Sequence, residues 1–103
     1  MKNKVVIITG ASSGIGKACA MQFAKRGAIL VLAARTESKL IALTELIKSA
    51  GGDAMYVVAD VSDKLDCESI INKTMEKYNR IDILINNAGI SMRALFADLN
   101  LLD

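Results

Sequence analysis

The sequence predicts an α/β protein built on a parallel sheet with helices on its faces, and three observations carry that expectation. Short unbroken runs of β-branched and aliphatic residues recur along the chain, as strands buried on both faces require. Between them lie segments whose apolar residues repeat at helical spacing, long enough to serve as the crossovers that parallel strands need. The joints are only two to five residues long, so each helix must fold straight back onto the sheet, right-handed by steric preference.

The first strand is Val5-Val6-Ile7-Ile8, which stops at Thr9-Gly10. From residue 14 to about 26, Ile15, Ala18, Cys19 and Phe23 fall at helical spacing, and Gly27 suits the position just past a helix end. Residues 29–33 form the second strand. Thr36 can cap a second helix whose first turn carries Glu37, favourable at the positive end of the helix dipole. The apolar stripe of that helix is Leu40, Leu43, Leu46, Ile47 and Ala50, closed by Gly51-Gly52. Residues 54–58 make the third strand. Ser62 or Asp63 caps a third helix with the stripe Cys67, Ile70, Ile71, Thr74, Met75 and Tyr78, and residues 81–85 form the fourth strand. The last stretch, 90–103, is less regular but too apolar for a solvated tail.

Composition excludes several function classes. A length of 103 residues suits one domain, and a hydrophobic share of 52% is far from that of a disordered chain. The longest apolar runs are too short to span a bilayer, so no membrane segment is expected. The chain has no His, which removes the Ser-His-Asp triad and His-ligated zinc. Its two Cys stand 48 residues apart and make neither a disulfide framework nor a metal knuckle. Met-Lys-Asn-Lys ahead of only four apolar residues is a poor signal peptide, and the expected location is cytoplasmic. The net charge of +2 comes from interleaved residues, and aromatics are 4% of the chain, so nucleic acid is not an expected partner.

The informative segment is Thr9-Gly10-Ala11-Ser12-Ser13-Gly14-Ile15-Gly16, between the first strand and the first helix. In an open parallel sheet, ligands bind beyond the carboxyl ends of the strands. Glycines there let the backbone turn tightly and approach a pyrophosphate, which then faces the unpaired amides and positive dipole of the helix. The pattern is T-G-x-x-x-G-x-G. With Asp60-Val61 after the third strand and Asn86-Asn87-Ala88-Gly89 after the fourth, the chain closely resembles the short-chain dehydrogenase/reductase family from residue 4 to about 90.

That resemblance implies a Rossmann-like three-layer α/β/α fold with strand order 3-2-1-4, a nicotinamide dinucleotide cofactor, and hydride transfer to or from an alcohol or carbonyl. It implies that Gly10, Ser12, Ser13, Gly14, Ile15 and Gly16 line the phosphates and ribose. Asp60 and Val61 would contact the adenine, while Asn87, Ala88 and Gly89 would sit beside the ribose and steady the central sheet. It divides the chain into a dinucleotide-binding half, 1–90, and a tail, 91–103, that begins the next helix of a longer enzyme.

The second strand ends Ala33-Ala34-Arg35-Thr36. A site for NAD normally carries a carboxylate here to bond the adenosine 2′-hydroxyl; this chain has Ala34, 18 residues past Gly16, followed by Arg35. A guanidinium can take a 2′-phosphate in a fork, so NADP is expected over NAD, with Arg35 and Thr36 at the site. A methyltransferase would want an acid at the same point, and a flavodoxin-like receiver an acidic cluster where Thr9 and Gly10 stand.

The family's catalytic pair is a Tyr followed four residues later by Lys, whose charge brings a phenol of pKa near 10 into range for proton transfer. Four residues after Tyr56 stands Asp60, and after Tyr78 stands Asp82. Both tyrosines read as core residues. No catalytic residue is therefore assigned, and the 103 residues are expected to be inactive alone. The alternative is a non-catalytic dinucleotide-binding or structural protein. With its fourth strand at an edge, the chain is expected to form a homodimer by strand pairing or tail exchange.

Overall fold

The computed structural model describes residues 2–87. In chain order these form β1 (Val5–Thr9), α1 (Gly14–Lys25), β2 (Ile29–Ala34), α2 (Glu37–Ser49), β3 (Asp53–Val58), α3 (Lys64–Tyr78) and β4 (Ile83–Asn86). The four strands make one sheet in the order β3-β2-β1-β4, with every pair parallel. This is the expected Rossmann-like arrangement. The proposed boundary at 90 and the tail, 91–103, lie outside the described residues.

The unbroken apolar runs are explained by the two cores. Alternate residues of β1 and β2 (Val5, Ile7, Val31, Ala33) pack with Cys67, Ile70 and Ile71 of α3 on one face. Val6, Ile8, Leu30 and Leu32 pack with Ala20 of α1 and Leu40, Leu43 and Ile47 of α2 on the other. Each residue of these two central strands is needed on one face or the other, so no polar alternation survives, while the edge strands β3 and β4 are only partly buried. Among the described residues, no helix is long and apolar enough to cross a membrane.

The helix ends follow local chemistry. Gly27 (φ +85°) and Gly51 (φ +91°) follow the ends of α1 and α2 in the left-handed region, and Asn79 (φ 59°) closes α3 in the same conformation. Between the two candidates at the start of α3, Asp63 is the cap, its carboxylate accepting from the Leu65 amide at 2.9 Å.

Three expectations need correction. The core face of α1 is not the stripe of larger residues: Gly16 and Ala20 are its buried residues, Cys19 and Phe23 are half-buried, Ala18 is exposed and Ile15 is 72% exposed. Gly16 lies against the backbone of the turn at Gly10 and Ala11, and Ala20 packs into the core, contacts of small residues that hydrophobicity does not signal. On α2, Leu46 is 44% exposed and Ala50 is exposed, while Thr44 is buried with Leu40, Leu43 and Ile47. Finally, β4 begins at Ile83, two residues later than the apolar run suggests.

The reason for the late start is Asp82. Its amide donates to the Val5 carbonyl at 2.9 Å, and its carboxylate accepts from the Val5 amide at 2.7 Å. A side chain thus completes the pairing at the mouth of β1. Arg80 adds an ion pair at 2.7 Å. The Arg80 hydrogen bond holds the Asp82 carboxyl below its usual range, with help from the Val5 amide and against partial desolvation. A depressed native pKa contributes stability above the ordinary carboxylate value of about 3.9 and loses it as pH falls through the native value. Asp82→Ala should therefore cost about 1–2 kcal/mol at pH 7 by orphaning the Val5 amide. Urea unfolding should also show the gap between wild type and Asp82→Asn closing as the solution is acidified below the carboxylate range.

Candidate functional site

The loops after β1, β2 and β3 leave the sheet side by side because backbone bonds carry the ladder past the strand ends. Ala11 N–H donates to Ala33 O at 3.2 Å, and Ala59 N–H donates to Ala34 O at 2.9 Å. Between the loops lies a cleft of about 430 Å³ lined by Gly10, Ser12, Ser13, Ala34, Arg35, Thr36, Lys39, Ala59, Asp60, Val61 and Ser62. It stands at the carboxyl ends of the strands, where an open parallel sheet takes its ligand.

The glycine loop builds one wall. Gly10 has φ +64°, which opens the turn. The Ser13 hydroxyl donates to Gly10 O at 2.8 Å and accepts from Gly16 N–H at 3.1 Å, so Ser13 is engaged in holding the turn and capping α1. Gly16 is buried beneath the turn. A Cβ there would press into the Gly10 carbonyl and lie 2.8 Å from Ala11 Cα. A Cβ on Gly14 would meet nothing within 4 Å, and among the described residues no hydrogen bond occupies the amides of Ser12, Gly14 and Ile15. The first turn of α1 holds no acidic residue. Open space, free amides and a helix N-terminus make a cradle suited to a pyrophosphate.

The opposite wall comes from β2 and β3. Ala34, 7% exposed, stands at the rim, and Arg35 is exposed beside it. Thr36 occupies the N-cap position of α2, but its side chain makes no capping bond; the expected cap is present in position only. The Asp60 carboxylate accepts from the Ser62 hydroxyl at 2.7 Å and the Ser62 amide at 3.0 Å. Those bonds hold its carboxyl below the usual range, and Arg35 adds a smaller pull. The first turns of α3 grip this loop: Asp66 accepts from the Asp60 amide at 2.8 Å, and the Cys67 thiol donates to Val61 O at 3.3 Å. Burial and surrounding carboxylates push the Cys67 thiol up, which suits a tether and not a nucleophile.

At the end of β4, the buried Thr9 hydroxyl donates to Asn86 Oδ1 at 2.9 Å and accepts from the Asn87 amide at 3.2 Å. The side chain that joins β4 to β1 is thus Asn86. Sequence reasoning left Asn86 out of the site set, although its place opposite Thr9 in the parallel register could have found it. Asn87 is exposed; Ala88 and Gly89 lie outside the described residues.

Lys39 and Ser62 also line the cleft, Ser62 having been expected only as a helix cap and Lys39 not at all. The signal for Ser62 was its place two residues after an Asp in a turn. Neither tyrosine lines the cleft. Tyr56 is half-buried, its hydroxyl donating to Glu37 Oε2 at 3.3 Å. Tyr78 is half-buried against the α3 core, and its pKa is pushed up to about 12, chiefly by burial and then by Asp53. Among the described residues, no three His, Cys, Asp or Glu side chains gather as a metal site.

A parallel sheet with a glycine turn feeding a helix N-terminus at its carboxyl edge defines a Rossmann-type protein. The family model described as short chain dehydrogenase matches residues 4–103, and the chain belongs to that family. It is 52% identical over 88 residues to 11-beta-hydroxysteroid dehydrogenase A of Sesamum indicum, covering 84% of this chain and 25% of that protein. It is 51% identical over 89 residues to an oxidoreductase of Thermotoga maritima, covering 86% and 35%. Among solved structures, it resembles L-sorbose reductase from Gluconobacter frateurii complexed with NADPH and L-sorbose (TM-score 0.83, 38% identity, 86% of this chain and 34% of that one). It also resembles a short-chain dehydrogenase/reductase from Burkholderia phymatum in complex with NAD (TM-score 0.78, 32% identity, 81% and 30%). The chain thus spans about a quarter to a third of the length of these relatives.

Proposed function

We propose that residues 1–90 form the dinucleotide-binding half of an oxidoreductase acting on alcohols or carbonyls, with NADP preferred to NAD. The observation that carries this reading is the cleft itself, where a glycine cradle with free amides faces a guanidinium and no carboxylate stands at the end of β2. The amides of Ser12, Gly14 and Ile15 would hold the pyrophosphate, on a turn fixed by Gly10, Ser13 and Gly16. Arg35 and Thr36 would take the adenosine 2′-phosphate. Asp60 and Val61 would flank the adenine, and Asn87, Ala88 and Gly89 the ribose. Relatives bound to NADPH or NAD support the dinucleotide. When bound, the nicotinamide supplies a hydride acceptor or donor; this chain's residues bind and orient it.

The 103 residues contain no Tyr with Lys four places on, so the polypeptide by itself binds without turnover. The apolar β4 pairs only with β1 among the described residues, and its other edge is proposed to pair with a second copy. Calorimetric titration of the purified polypeptide should give NADPH binding about tenfold or more tighter than NADH. Mixing with a panel of carbonyls should consume no NADPH, and light scattering at tens of micromolar should report a dimer. Absence of dinucleotide binding, or tighter binding of NADH, would overturn the cofactor reading. Carbonyl-dependent NADPH consumption would overturn the inactivity, and a monomer the pairing.

A further inference from the structure

We propose that Lys39 is a second cation for the adenosine 2′-phosphate, sharing that group with Arg35 from the first turn of α2. The assignment rests on the NADP reading above and deepens it by naming a specificity-determining residue.

Three observations converge on this lysine. The first is its place. A second cleft of about 450 Å³ lies between α1 and α2, and Ser12 and Lys39 are the two residues that line both it and the dinucleotide cleft. Lys39 therefore stands on the rim that separates the two spaces, with the glycine loop on the other side and Arg35 one turn earlier in the chain.

The second is the electrostatics of the helix. Lys39 is the third residue of α2, where the unpaired amides already make the environment positive. A cation there works against the helix dipole, and Glu37, the acid of that turn, is engaged by the Tyr56 hydroxyl at 3.3 Å. Among the described residues, Lys39 makes no ion pair. An anion in the cleft would relieve this unfavourable placement.

The third is charge balance. Arg35 does not face the cleft alone: it acts on Asp60, whose carboxylate lines the same space. A 2′-phosphate carries close to two negative charges, and Asp60 adds another. One guanidinium that also offsets the Asp60 charge leaves that phosphate undercompensated, and the lysine lining the same cleft supplies the missing charge. A lysine ammonium on a flexible stem suits this role, since it serves as a point charge and needs no planar partner.

The test uses 2′,5′-ADP and 5′-AMP, which isolate the adenosine end of the cofactor, in calorimetric titrations of the full 103-residue chain. Lys39→Met should weaken 2′,5′-ADP about three- to tenfold, leave 5′-AMP unchanged, and flatten the salt dependence of 2′,5′-ADP binding. Lys39→Arg should restore both affinity and salt dependence. Circular dichroism should show all variants folded, because Lys39 is exposed. Unchanged 2′,5′-ADP affinity in Lys39→Met, with a loss in Arg35→Ala, would overturn the role of Lys39 and leave the NADP reading standing. If the wild type binds 2′,5′-ADP no better than 5′-AMP, the NADP reading itself falls, and this assignment with it.

Discussion

Arg35→Ala should weaken NADPH binding by roughly 1.5–3 kcal/mol, about 10- to 150-fold, while changing NADH affinity little. The guanidinium is exposed at the carboxyl end of β2, on the wall of the cleft that faces the glycine loop. Charge-assisted, forked hydrogen bonds to a phosphate dianion are among the stronger polar contacts available to a protein, and NADH offers no phosphate at that point. Arg35 also acts on Asp60, so its removal leaves that carboxylate less compensated and adds repulsion toward the phosphorylated dinucleotide. The measurement is a pair of titrations at fixed ionic strength, because salt screens the exposed charges. Equal losses for both dinucleotides would show that Arg35 serves the fold or the adenine, not the phosphate.

Gly16→Ala should cost about 2–3 kcal/mol of stability and lower the melting temperature by roughly 10–20 °C. On propensity alone the opposite is expected, since alanine favours a helix over glycine by about 1 kcal/mol. The sign is reversed because the new methyl would meet the Gly10 carbonyl and Ala11 Cα, both backbone atoms that cannot rotate aside. Relief requires lifting the turn, which breaks the Ser13 bridge between Gly10 O and Gly16 N–H and misaligns the amides above it. Gly14→Ala is the matched comparison. A methyl there enters open space, so stability should hold or rise slightly while dinucleotide binding weakens. Thermal unfolding and titration of the two variants separate the glycine that shapes the turn from the glycine that makes room for a ligand.

Residues that act through local chemistry were readable before folding. The runs beginning at Val5 and Ile29 announce buried strands because both faces of a parallel sheet demand apolar side chains, whereas the run at Ala54 announces only a strand, which packing leaves at a half-buried edge. Cys67, Ile70, Ile71 and Thr74 announce a buried helix face through their spacing. The turn at Gly10 and the bare position at Ala34 were legible because each depends on a residue type that excludes alternatives. Other features were hidden because they depend on a partner distant in sequence. α1 seats itself through Gly16 and Ala20, where the decisive property is how little space a side chain takes. β4 starts late because Asp82 reaches the first amide of β1, a contact 77 residues apart in the chain. Lys39 looks like any solvated helix residue until α2 is laid beside the glycine loop.

The sequence by itself determined the layered parallel architecture, the glycine turn and the absence of a Tyr-Lys pair, since periodicity, backbone freedom and residue identity are properties of the chain before it folds. Only the tertiary structure decided which amides stay unpaired, which serine is spent on capping and which cations share a cleft with Asp60. Those outcomes turn on distances between loops from three different strands, and distance between segments far apart in sequence is set by packing, not by local composition.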